Sequence, residues 1–186
     1  MSTSVDLLSM VELPGDSFQG SWEMKKGALV CTQIGAAAGV AIPYAPPEEY
    51  DLTVVAECRG ALEMLLIGLT QGARTFAAGL DGWGGTRSCL GSLDGKWGEI
   101  PEMLYSGGVF KKGKASVIVC AVRKTGVKVT VDGKTILSWR GDLNRLSGPP
   151  GYTPPAKTGI YVGCNAPYSV LRISLEPITG RGAGTR

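Results

Sequence analysis

Apolar and polar residues alternate with a period of two in this chain, and glycine- or proline-bearing turns break the pattern every ~8–12 residues. No other feature constrains the fold as tightly. In residues 50–59, Leu52, Val54 and Ala56 fall on one face, and Thr53, Val55 and Glu57 on the other. Val127, Val129 and Val131 alternate with Lys128 and Thr130 in the same way. Residues 62–70 are apolar on both faces, which predicts a central strand. Further strands are predicted at 27–31, 75–80, 88–93, 115–123, 135–139, 159–164 and 170–176. A short one at 41–44 is limited by Pro43 to a sheet edge. Asp94-Gly95 and Asp132-Gly133 are hairpin dipeptides.

Helical patterns are confined to residues 5–11, ended by Pro14-Gly15, and to a turn at 142–146. Many short strands with such turns predict an all-β, antiparallel two-sheet sandwich with at most one or two short helices. The chain of 186 residues fits one domain, taken as 1–180, followed by a flexible basic tail at 181–186.

Composition narrows the function classes. Hydrophobic residues make up 44% and charged residues 19%, a globular balance. The net charge of +3 comes from scattered basic residues, which argues against a nucleic-acid partner. There is no histidine, which removes Ser-His-Asp and Cys-His nucleophiles, His-ligated metals and imidazole acid–base chemistry. The five cysteines, Cys31, Cys58, Cys89, Cys120 and Cys164, are widely spaced and mostly lie in apolar runs. They read as buried free thiols, which favours a cytoplasmic setting. No signal peptide opens this chain, and no apolar run is long enough to span a membrane.

Most motif matches fail on context. Gly108 to Lys114 has the spacing of a phosphate-binding loop, but Ala115 stands where Ser or Thr is needed and a strand pattern follows. Arg140-Gly141-Asp142 matches an adhesion tripeptide where a turn is expected anyway. Glu57, Glu63 and Asp81 are the carboxylates that a glycosidase could use, although none forms a three-carboxylate face on one strand.

The aromatic residues carry more. Trp83 stands in Gly82-Trp83-Gly84-Gly85, where glycines leave the indole few local packing neighbours. Trp97 follows the Asp94-Gly95 turn and is expected on the same rim. Indole faces stack on sugar C–H faces, and Asp81, Arg87 and Asn165 are expected to orient hydroxyls. Trp22 and Trp139 are assigned to the core.

Several segments are shared, in order, with a known family: Gly20-Ser21-Trp22-Glu23, Ile42-Pro43-Tyr44, Pro46-Pro47-Glu48-Glu49-Tyr50-Asp51, Gly82-Trp83-Gly84 and Val131-Asp132-Gly133. Through them the chain resembles the concanavalin A-like lectin/glucanase domains, related to laminin-G-like modules, that are abundant in planctomycete bacteria. The resemblance implies a jelly roll whose concave sheet holds carbohydrate, and it allows an extracytoplasmic setting. The glucanase carboxylate motif is absent, so binding is the inference rather than hydrolysis. No cofactor is expected, because the sequence offers no acidic cluster for the calcium that some lectin relatives use.

The leading expectation is a non-catalytic carbohydrate-binding module, part of or partner to a larger protein, with Trp83, Asp81, Arg87, Trp97 and Asn165 lining its site. Its partner would be a carbohydrate or glycoconjugate. The alternatives are a glycoside hydrolase-like enzyme using carboxylates and a protein-interaction or structural module that packs on another protein domain.

Overall fold

The computed structural model describes residues 3–34, 37–98, 100–152 and 159–186. Two antiparallel sheets face each other across one main apolar core. In the first sheet the strands run Lys134–Arg140, Gly126–Val131, Ala115–Arg123, Glu49–Cys58, Tyr168–Thr179, Ala28–Gln33 and Ser21–Lys25 in spatial order. Val5–Asp6 adds to the far end of Tyr168–Thr179. In the second sheet the order is Leu104–Ser106, Arg87–Leu90, Arg74–Asp81, Leu65–Gln71, Tyr161–Cys164, Ala38–Ala41 and Ser17–Gln19.

The first sheet follows the alternation in the sequence. Tyr50, Leu52, Val54, Ala56 and Cys58 turn inward and are buried, while the residues between them are half-exposed. The pairing of Val54 with Ile118 and of Val129 with Leu137 continues that inner face across three neighbouring strands. Trp22 and Trp139 are buried, as their flanking sequence suggested. Helical structure among the described residues is limited to the turn Gly82–Gly85 and three short 3-10 turns, Leu8–Met10, Pro101–Met103 and Leu143–Arg145. The predicted helix at 5–11 is therefore a strand residue pair followed by one 3-10 turn, with Asp6 Oδ1 accepting from the Leu8 and Ser9 amides.

The second sheet is buried on both faces. Leu65, Ile67, Leu69, Phe76, Ala78 and Leu80 enter the main core. On the outer face, Leu66, Ala77 and Tyr161 form a second apolar cluster with Phe18, Met64 and Tyr152. Glycines make this outer layer possible. A Cβ on Gly68 would lie 2.0 Å from Tyr161 Cδ1, one on Gly39 2.3 Å from Phe18 Cζ, and one on Gly163 2.5 Å from Tyr152 Cε1. Each aromatic ring occupies the space a side chain would have taken, with Phe18 edge-on to Tyr161 and Tyr152 stacked on it.

The C-terminal segment is tied to the sandwich by backbone pairing and an ion pair. Ala183–Gly184 pairs with Tyr44–Ala45 rather than hanging loose. The Arg186 guanidinium donates to both Asp16 carboxylate oxygens and to the Met10 carbonyl. Backbone pairing and a bidentate ion pair hold a segment that its glycine content alone would leave unordered. Among the described residues no helix is long and apolar enough to cross a membrane.

Candidate functional site

Trp83 is 40% exposed, the most exposed of the four tryptophans. The turn that carries it is built from left-handed backbone: Asp81 has φ 55°, Trp83 φ 54°, Gly84 φ 71° and Gly85 φ 78°. For Asp81 and Trp83 this conformation costs about 1–2 kcal/mol each, so surrounding contacts must hold it.

Those contacts form a closed ring. Asp81 is fully buried, and its carboxylate accepts from the Val109 amide (2.7 Å to Oδ1) and the Phe110 amide (2.8 Å to Oδ2). The Phe110 ring meets Tyr168 edge-on at 5.9 Å. The Tyr168 hydroxyl donates to the Glu63 carbonyl at 2.8 Å. The Glu63 carboxylate accepts from the Gly84 amide at 3.0 Å, next to Trp83. The Thr86 hydroxyl closes the turn by donating to the Trp83 carbonyl at 2.8 Å.

Trp97 lies beside Trp83, with centroids 6.4 Å apart and planes only 16° from parallel. Together they border a groove of about 380 Å³, lined also by Glu63, Met64, Leu66, Pro149, Pro150, Tyr152 and Asn165. That volume lies within the ~300–1,000 Å³ usual for small-ligand sites. Tyr152 stacks on Tyr161 (6.2 Å, 17°) and donates its hydroxyl to Asn165 Oδ1 at 2.9 Å. Burial pushes the Tyr152 hydroxyl far above its ordinary range, which keeps it a proton donor. Asn165 is exposed, and its backbone N–H donates to the Met64 carbonyl.

Of the five residues expected to line the site, Trp83, Trp97 and Asn165 meet at this groove. Asp81 does not. Its carboxylate points into the protein and is occupied by two backbone amides, so it shapes the turn instead of facing a ligand. Burial raises the Asp81 carboxyl above the ordinary range, the Phe110 and Val109 amides oppose this, and the Glu63 carboxylate pushes it further up. Arg87 is also outside the lining. It begins the strand Arg87–Leu90, where it pairs with Ser106. Glu63, which the sequence offered only as a catalytic carboxylate, and Tyr152, which carried no sequence signal, also line the groove. Pro149 and Pro150, in the Gly148-Pro149-Pro150-Gly151 loop, also line the groove. Glu57 belongs to the other sheet, paired with Ala115 and Ser169, so it does not share a cleft with Glu63.

A larger groove, about 580 Å³, borders the first sheet at Met24, Leu171 and Arg172, but no aromatic ring is among its lining residues. Among the described residues no three Asp, Glu or Cys side chains gather as a metal site.

No family model and no curated protein sequence matches the chain. Solved structures do match it. The carbohydrate binding module CBM66 from Bacillus subtilis aligns at TM-score 0.58 and 6% identity, covering 86% of this chain and 93% of that one. A putative glycosyl hydrolase from Parabacteroides distasonis aligns at TM-score 0.55 and 13% identity, over 95% of this chain and 100% of that one. The exoplasmic/lumenal domain of VIP36, solved with Ca²⁺ and Man3GlcNAc, aligns at TM-score 0.54 and 11% identity, over 88% and 83%. The chain thus shares a two-sheet antiparallel sandwich fold with these three structures.

Proposed function

We propose that this protein is a non-catalytic carbohydrate-binding module whose ligand lies in the groove beside Trp83. One observation carries the reading: an exposed indole, parallel to a second indole, stands at the rim of a groove that also presents an amide and a carboxylate. Sugar rings offer apolar C–H faces and hydroxyls at their edges. A flat aromatic platform with a few placed polar groups suits that chemistry. Structural likeness to a carbohydrate binding module and to the Man3GlcNAc-bound exoplasmic/lumenal domain of VIP36 supports the same reading.

Catalysis has less support. Glycoside hydrolysis ordinarily takes two carboxyl groups flanking the scissile bond. Glu63 is the one carboxylate among the described lining residues, and Asp81 is buried behind the turn.

A glycan-array screen followed by tryptophan fluorescence titration tests the proposal. Truncating an aromatic hot spot costs about 2 kcal/mol or more, so Trp83→Ala is expected to weaken any hit by roughly 30-fold. A hit whose affinity is unchanged in Trp83→Ala would place binding elsewhere. A folded sample with no hit would favour a polypeptide partner.

A further inference from the structure

The groove has a charge character that the stacking argument does not use. Its described lining contains a single charged side chain, Glu63. Both oxygens of that carboxylate are already oriented: Oε1 accepts from the Met64 amide at 3.1 Å and Oε2 from the Gly84 amide at 3.0 Å. A carboxylate offers about four lone-pair positions, so two backbone bonds fix its direction and leave acceptor capacity for a ligand.

Among the described lining residues there is no cation. Lys96 precedes Trp97 on a two-residue strand, where successive side chains point to opposite faces, and its charge acts on Asp94. Arg145 is ion-paired with Asp94 at 2.7 Å. Arg87 lies outside the lining.

We propose that the groove selects non-acidic glycans, prefers those bearing an amino group, and rejects uronic, sialic and sulfated sugars, with Glu63 as the discriminating residue. This rests on the carbohydrate-binding reading above. An ammonium group seated at Glu63 would gain a charge-assisted hydrogen bond, while a sugar carboxylate or sulfate would meet a like charge already fixed in direction. The pair is half-exposed, so the gain is modest and falls as salt is raised.

The test compares three ligands by fluorescence titration or calorimetry: glucosamine oligomers, their N-acetylated counterparts and oligogalacturonate. The native protein is expected to bind the amino oligomer about three- to tenfold more tightly than the acetylated one at low salt. Oligogalacturonate is expected to bind weakest, and raising the salt should narrow all three differences. In Glu63→Gln, which keeps an acceptor for the Gly84 amide, the three affinities should come within about twofold of one another, whatever their common level. Equal affinities in the native protein, or a preference that survives Glu63→Gln or high salt, would overturn the assignment. Measuring Trp83→Ala in parallel separates the two claims. Binding that depends on Trp83 but ignores charge sinks only the specificity. Failure of all three ligands and of a wider glycan panel sinks the carbohydrate reading and this inference together.

Discussion

Replacing Asp81 with alanine removes the carboxylate that anchors the Trp83 turn. Two amide hydrogen bonds are lost, at 2.7 Å and 2.8 Å. Hydrogen bonds to a charged group contribute about 1.5–3 kcal/mol each, so the gross loss is about 3–6 kcal/mol. Part of it returns, because the variant no longer buries a carboxyl group whose ionisation burial disfavours. The expected net destabilisation is about 2–4 kcal/mol at neutral pH, read as a lower urea midpoint with an unchanged slope.

The pH dependence has a definite sign. The folded-state pKa of Asp81 is raised, so its contribution is fully present below the unfolded value of about 3.9 and declines as pH rises through the folded value. The stability gap between native protein and variant should therefore be wider on the acid side of that window and narrower at neutral pH. A gap under about 0.5 kcal/mol would refute the anchoring role, since that is the range of surface substitutions without structural consequence. A gap that widened with pH would refute the account of burial as the dominant effect. The near-UV circular dichroism of the Trp83–Trp97 pair should also weaken, because the ring of contacts holding the left-handed turn is broken.

Two further outcomes are expected. Gly68→Ala would force a Cβ to within 2.0 Å of the Tyr161 ring, an overpacking that costs about 1–3 kcal/mol, or roughly 2–12 °C in Tm for a chain of this size. It should also lower glycan affinity by shifting Tyr152 and Asn165, and a Tm within a degree of the native value would contradict the close fit. Burial pushes the Cys89 thiol up to about 11 and Cys120 up to about 12, so both should resist thiol reagents at pH 8 until the protein is unfolded. Rapid native-state labelling of Cys120 would contradict the packing.

The all-β sandwich was legible in the sequence because strand alternation is a local property. The inward face of Glu49–Cys58, the hairpin turn at Asp132-Gly133 and the doubly buried Leu65–Gln71 each follow from neighbours a few residues apart. Trp83 was legible for the same reason, since its flanking glycines deny it local cover. Other features were not local. Asp81 was expected to orient ligand hydroxyls, and it is instead buried, with the Val109 and Phe110 amides donating to its carboxylate. The tail 181–186 looked loose, and it is held only because Tyr44–Ala45 presents a free edge beside Asp16.

The groove itself draws on residues from 63 to 165. Which of them share it depends on the placing of Leu65–Gln71 beside Tyr161–Cys164, and on the proline loop folding over the outer face of the second sheet. Composition, charge and period determined the kind of fold and drew attention to one indole. Sheet order and loop packing, which act between residues distant in the chain, decided that Trp83 faces Trp97, that Glu63 faces the same groove, and that Asp81 supports the site from beneath.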